Sequence, residues 1–591
     1  MRYIGPFFRM NSLSHKEISG QLFYLSKESI KTIVLNSKCG LLAQVRASKK
    51  PSINDISILN NFSPLLCLYK KASPMFIHSK TSHGFDESSF KKEINPSTNA
   101  FMTLCLLELS EYYSHYDEGE RNVVSLEKPF KYLAKEQLQF YSENLRNDEG
   151  LFVDKKNISD GNSKGFSLID KDSKFKFSDQ AFMMDVYFLY AHYNKFDHDS
   201  DEYIKFSYEI LDMFKNYKSA LYDLSFSENA QIFFALNLFY RYSHNKDAKN
   251  LILDLGDFLI SKFQEKDHYL DSIDDCALFC ICLMEAYKHT DIISFKDSSK
   301  EIAEKLISLY DSDKNIFIKP SDKKEIKYSC VEINNYLLCL IMYSLQEDKI
   351  TELRPIISGL YRKFFVNNGL LTSWPEAPTL DEVERYKKLS LRSDDMLDET
   401  YFRMPILATP KSTGLAPIFI KNLVYSKKKD SLSPSKNSFD SNKNMFNFLL
   451  IIHLFKDSVE EVMNFTCSNL SKEHNLNDTE IMEDTKIENN LSPEPDELPS
   501  LDNSVNIVSN PSLSSTSINT MSSKKNLCDK PEVSISNLES KSDSSCDLEK
   551  NTNSNNLKES CKPVSNNKTT NIPKKKFKKN KAQHPSKKKK K

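Results

Sequence analysis

Glycine is scarce in this chain, 12 residues among 591, and tryptophan occurs once. The glycine-rich turns that cradle phosphates are missing with it: there is no G-x-G-x-x-G and no Walker A sequence. H-E-x-x-H is absent too, which removes the helical zinc site of metalloproteases. No stretch approaches about 18 uninterrupted apolar residues, so no transmembrane helix is expected. Met1 to Ser14 lack a charged segment followed by an apolar run, and no secretory signal is expected. The twelve cysteines show none of the paired spacings that staple secreted domains or grip zinc. Cys276, Cys280 and Cys282 come closest, but they sit in an apolar helix, where cysteine behaves as a small hydrophobe. A reducing cytoplasm is the expected compartment, and no metal or other cofactor is implied.

What the chain does contain is a repeat. Six strongly apolar stretches begin near Asn99, Gln180, Asn229, Cys276, Asn334 and Met445. Several are hydrophobic nearly all round, as in Ile232-Phe233-Phe234-Ala235-Leu236, so they must be buried on most sides. Each is followed by an amphipathic partner: Pro129–Asn144, Glu202–Tyr217, Lys246–Phe263, Ser299–Tyr310, Leu353–Phe365 and Lys456–Phe465. One apolar stripe and one charged face suit an outer layer. Short apolar steps follow the outer members, such as Gly150-Leu151-Phe152, Ala220-Leu221-Tyr222 and Ile316-Phe317. From Leu221 onward they recur about every 50 residues, a period that signals repeat architecture. Ser178, Ser227, Ser272 and Ser329 sit where the inner helices need N-caps, with acids close behind.

The domain reading follows. Residues 1–96 are mixed and read as a small N-terminal cap, with a helix over Glu17 to Leu35 and short strands between Pro64 and His78. Residues 97–465 carry the six hairpins, interrupted by inserts at 154–176 and 375–440. Residues 466–591 lose all periodicity and nearly all aromatics, a composition that predicts disorder. Glu473 to Glu497 holds nine acids against one lysine, and Lys574 to Lys591 holds eleven lysines and no acid.

Six hairpins with apolar inner helices resemble the (α/α)6 toroid of the six-hairpin glycosidase-like superfamily, and the expected fold is all-α. The resemblance covers residues 97–465 and rests on hairpin count and period. It implies a site at the rim where the inner helices start, and members that hydrolyse, eliminate or epimerise sugars. Both inserts follow an outer helix and precede an inner one, so both are expected at that rim, where long insertions often bind or cover ligands.

Glycoside chemistry needs two opposed carboxylates, one raised in pKa to donate a proton. Candidate catalytic acids at the rim are Glu376, Asp179 and Asp275. Trp374 and Tyr401 offer flat faces for a sugar, Arg403 a cation for an anionic group, and Glu228 and Glu332 further polar contacts. First-turn acids also complement the helix dipole, which explains several of these without any ligand. Asp394-Asp395-Met396-Leu397-Asp398-Glu399 matches the short D-D-x-x-D metal pattern, which an acid-rich chain produces by chance. Two functions stay open. One is a toroid that binds or cleaves a glycan; the other is a non-catalytic scaffold of a bacterial spore or envelope, tethered by its lysine tail. That tail is a solvated polycation suited to polyanions without sequence readout.

Overall fold

The computed structural model describes residues 15–45, 56–78, 83–114, 125–159, 165–265, 268–375, 413, 415–435 and 438–457. Twelve principal helices alternate between two layers. The inner layer holds the even-numbered members: α2 (Pro96–Ser114), α4 (Phe177–Tyr193), α6 (Phe226–Ser243), α8 (Ile273–Thr290), α10 (Cys330–Gln346) and α12 (441–457). The outer layer holds α1 (His15–Asn36), α3 (Glu127–Asn144), α5 (Ser200–Asn216), α7 (Lys246–Glu265), α9 (Ile293–Ile307) and α11 (Ile350–Leu360). The helix of α11 runs on as a π-helix over Tyr361–Asn367.

Each inner helix packs on the next from α2 to α10. Helix α12 closes the circle: Asn442 Nδ2 donates to Thr98 Oγ1 of α2 (3.0 Å), and Lys443 Nζ to Ser329 Oγ at the start of α10 (2.5 Å). The result is an (α/α)6 toroid. Side chains explain the layering. In α4 every residue from Ser178 to Ala191 is buried, whereas α5 buries only Ser200, Ser207, Ile210, Leu211 and Phe214.

Residues 15–36, assigned by sequence to a cap, form a helix with the contacts of an outer member. Helix α1 packs on α2 and α11, and Tyr361 donates its hydroxyl to Gln21 Oε1 (2.5 Å). The outer place next to α12 was expected from Lys456–Phe465. Lys456 and Asp457 instead continue the inner helix, and residues from 458 on, including the tail, lie outside the described residues. Among the described residues, the outer layer therefore begins with His15–Asn36.

Long connections all enter the starts of inner helices. One forms a sheet of β1 (Glu93–Ile94), β2 (Val153–Asn157) and β3 (Leu168–Phe175); another joins β4 (Glu325–Ser329), β5 (Asn422–Ser426) and β6 (Ser431–Pro434). The described parts of both inserts thus stand at one end of the toroid. The four longest connections, into α2, α4, α10 and α12, are all at this end; at the other end the connections run from two residues, His244–Asn245 between α6 and α7 and Asp291–Ile292 between α8 and α9, to the twelve of 115–126 between α2 and α3.

A repeated device fixes the inner-helix starts. The fourth residue of α2, α4, α6 and α12 is a buried amide that bonds the backbone of the apolar step before its helix. Asn99 Oδ1 accepts from Leu68 N–H (2.7 Å), and Asn229 Nδ2 donates to Leu221 O (2.8 Å). Gln180 both accepts from and donates to the Phe152 backbone (3.0 and 2.8 Å), as Asn444 does with Phe419 (2.8 and 3.0 Å). Such bonds satisfy buried backbone groups that a turn leaves unpaired, each worth about 1 kcal/mol.

The axis is filled. Phe101, Phe182, Phe234 and Phe446, from α2, α4, α6 and α12, form a closed cycle with ring centroids 4.6, 6.1, 6.2 and 5.4 Å apart. Helices α6 and α12 stand opposite each other in a ring of six, so the Phe234–Phe446 contact crosses the centre. This aromatic layer separates the rim from the far end.

Candidate functional site at the rim

At the rim, first-turn side chains stitch neighbouring inner helices together. Asp179, the third residue of α4, accepts from the Ser97 N–H at 3.1 Å and from the Ser97 hydroxyl. Ser97 opens α2, so the acid satisfies one of that helix's unpaired N–H groups. Asp275, third in α8, accepts from Ser227 Oγ of α6 (2.8 Å), and the carbonyl of Asp274 accepts from Asn335 Nδ2 of α10 (3.1 Å). Of the four expected serine caps, Ser272 and Ser329 are N-caps. Ser178 and Ser227 stand inside the first turn, and Ser225 caps α6 by accepting from the Glu228 N–H (3.1 Å).

Burial raises the Asp179 carboxyl from its ordinary 3.8 to about 6, against the opposing Ser97 bonds. Asp275 also reaches about 6: burial leads, the adjacent Asp274 charge adds to it, and Ser227 opposes. The two acids stand on α4 and α8 with α6 between them. Glu332, buried in the first turn of α10, is raised by burial while Lys319, 2.7 Å away, opposes. Its Oε2 also accepts from Ser329 N–H (3.2 Å), as the third-position acid of a capping box with Ser329. Glu228 is half-buried in the first turn of α6. Trp374 is 6% exposed and belongs to the core. Glu376, Tyr401 and Arg403, like the D-D-x-x-D stretch, lie outside the described residues.

The sequence G-x-S-x-G occurs at Gly161-Asn162-Ser163-Lys164-Gly165, between β2 and β3. A nucleophile elbow runs from a strand into a helix, whereas the described elements on either side of this stretch are both strands. Among the described residues, one grouping has the spacing of metal ligands: Asp197, His198 and Asp199 between α4 and α5. Lys135 already pairs with both aspartates, at 2.7 and 2.9 Å.

A denser cluster lies beyond the aromatic layer, and sequence reasoning missed it. Glu108, Arg241 and His453 stand two helical turns past Phe101, Phe234 and Phe446, so they face the same axis. His453 lies between two carboxylates, Glu108 at 3.6 Å and Glu285 of α8 at 3.7 Å. Lys456 reaches Glu108 at 2.7 Å, Tyr242 donates to Glu108 at 2.8 Å, and Arg241 pairs with Asp457 at 2.5 Å. Burial would raise Glu108 and Glu285. Lys456 and His453 overcome it at Glu108, and His289, His453 and Arg241 do so at Glu285, so both sit well below the usual carboxylate range. Burial would likewise lower His453, but the two carboxylates raise it. The only sequence signal was a charged residue recurring on helices otherwise apolar all round.

No protein-family model matches the sequence, and no curated protein matches it. Solved structures do. A D-mannose isomerase aligns at 9% identity and TM-score 0.39 over 66% of this chain and 92% of its own. An endoglucanase from the termite Nasutitermes takasagoensis aligns at 10% identity and TM-score 0.39 over 74% and 99%. A cellobiose 2-epimerase from Bacillus thermoamylovorans aligns at 9% identity and TM-score 0.38 over 61% and 88%. At these identities and TM-scores the likenesses transfer no activity and no residue role.

Proposed function

We propose that the chain binds or cleaves a glycan at the rim of the toroid. The observation that supports this reading is the pair of rim carboxylates, Asp179 and Asp275, each holding its proton to about pH 6. A general acid works best with a pKa near the operating pH, and burial without a cationic partner is how proteins arrange it. Asp275 is the more accessible of the two and is assigned the proton donor. Glu376, from the insert, is assigned the opposing carboxylate. Asp179, bonded to α2, holds the rim in register. Trp374 is buried, so sugar stacking falls to Tyr401, with Arg403, Glu228 and Glu332 as polar contacts. The test is turnover of a broad glycan panel by wild type, Asp275→Asn and Glu376→Gln. Loss of turnover in both variants, with thermal unfolding not lowered, is the expected outcome. No bound or cleaved glycan in the wild type would overturn the reading.

A second reading, a non-catalytic scaffold, is favoured by the engagement of Asp179 with Ser97 and of Glu332 with Lys319. Acids that stitch and pair need no ligand. Here the lysine segment 574–591 is the tether, and its deletion should abolish low-salt capture by polyanions while leaving the toroid folded.

A further inference from the structure

Among the described residues, three seams between neighbouring inner helices carry the same contact at the rim. The second residue of one helix donates to the third residue of the next. Ser97 of α2 does so to Asp179 of α4, Ser227 of α6 to Asp275 of α8 (2.8 Å), and Asn442 of α12 to Thr98 of α2 (3.0 Å). Two of the three acceptors are acids, and they are held differently. Asp179 is buried, and its Oδ1 takes both the N–H and the hydroxyl of Ser97. Asp275 is half-buried, and its Oδ1 takes the Ser227 hydroxyl. No described group bonds its Oδ2.

Capping leaves Ser227 available for this contact. Ser225, two residues earlier, is the N-cap of α6 and accepts from the Glu228 N–H (3.1 Å). The Ser227 hydroxyl has no other acceptor among the described residues, so it donates to Oδ1 whether or not the carboxyl is protonated. With Oδ1 engaged as acceptor, a proton on this carboxyl resides on Oδ2. The first turn of α8 depends on such neighbours, because its N-cap Ser272 makes no side-chain capping bond. Asn335 of α10 clamps the other flank, donating Nδ2 to the Asp274 carbonyl (3.1 Å). Burial, the Asp274 charge and Glu332 of α10 all favour the proton on Asp275. Glu332 has its own partner in Lys319, at 2.7 Å. Ser227 is the neighbour that favours the ionised form.

We propose that Ser227 is a positioning residue for Asp275: it fixes Oδ1 as the accepting oxygen and leaves the transferable proton on Oδ2. The proposal rests on the reading of Asp275 as the proton donor of the rim. It adds the side chain that orients this donor and limits how tightly it holds its proton.

Linkage between folding and pH reads the Asp275 proton without any substrate. Denaturant unfolding of the full chain from pH 4 to 8 compares wild type, Ser227→Ala and Ser227→Thr, each with and without Asp275→Asn. A raised carboxyl costs stability as pH climbs above its unfolded value of 3.8, and the loss levels off once the folded group ionises. The loss due to Asp275 should level off near pH 6 in wild type. In Ser227→Ala it should run on by about one pH unit, because the ionised form has lost a hydrogen bond. Ser227→Thr keeps the hydroxyl and should restore the wild-type curve. No loss due to Asp275, or one that levels off at the same pH with and without the serine hydroxyl, would overturn the proposal. The alkaline limb of kcat/KM should move upward in the same way for any glycan that is turned over. Turnover with an unmoved alkaline limb in Ser227→Ala overturns the positioning role and leaves the rim reading in place. No turnover in the wild type overturns the rim reading, while the unfolding curves still decide whether Ser227 holds the Asp275 carboxyl.

Discussion

Asp179 at the rim and Glu108 beyond the aromatic layer are 3% and 1% exposed, yet burial leaves them with opposite proton affinities. Asp179 meets a serine and a backbone N–H, and desolvation prevails, raising it to about 6. Glu108 meets Lys456 at 2.7 Å, Tyr242 at 2.8 Å and His453 at 3.6 Å, and the charges prevail, driving it down. The lesson concerns what each end can do. A carboxyl whose burial outweighs the nearby cation, as Asp179 does with Lys176, keeps its proton to about pH 6 and has one to give. A carboxylate locked among cations is a fixed charge that holds helices in place.

The sharpest way to break this contrast is at the far end. Glu108→Ala strips the buried Lys456 of its 2.7 Å partner, leaving it only Asp457 at 3.7 Å, and leaves His453 with Glu285 alone, which should cost about 3–5 kcal/mol in denaturant unfolding at pH 7. A loss below about 1 kcal/mol would mean that water, rather than Glu108, balances those charges. At the rim the expected sign is reversed. A carboxyl whose folded pKa is raised contributes stability below its unfolded value of 3.8 and loses it as pH climbs through about 6. Asp179→Asn removes that loss and should stabilise the protein by about 2–3 kcal/mol at pH 8, with little change at pH 4. Equal effects at the two pH values would show that the Ser97 bonds, not the proton, govern the position.

The smallest effect belongs to His453. Its folded pKa is raised, so its contribution is complete below the ordinary 6.5 and fades as pH rises through the folded value. Stability of the wild type should fall over that window relative to His453→Gln, measured by denaturant titration from pH 5 to 9. Parallel curves for the two proteins would place a neutral imidazole between the carboxylates.

Much of the architecture was legible. Ala181, Phe182, Met183 and Met184 are apolar on every side, which forces an inner position, while Ile302 and Leu306 beside Glu301 and Lys305 mark an outer one. The amides Asn99, Gln180 and Asn229 were visible as the starts of inner helices, but their partners Leu68, Phe152 and Leu221 lie 31, 28 and 8 residues away. The place of α1 was not legible. Its amphipathic pattern fits any outer position, and only ring closure against α11, more than 300 residues later, selects one. Trp374 misled for a related reason: a lone tryptophan beside two prolines suits an exposed platform or a core equally, and neighbours decide.

By itself the sequence determined the alternation of layers, the number of inner helices and the end at which the long connections gather, because burial demands and chain order act locally. Tertiary structure alone decided which charges meet on the axis, since Glu108, Arg241, Glu285 and His453 come from four helices and converge only when the ring closes. It also decided the direction in which each buried acid titrates. Proton affinity depends on the distance to a partner charge, and no spacing along the chain encodes that distance.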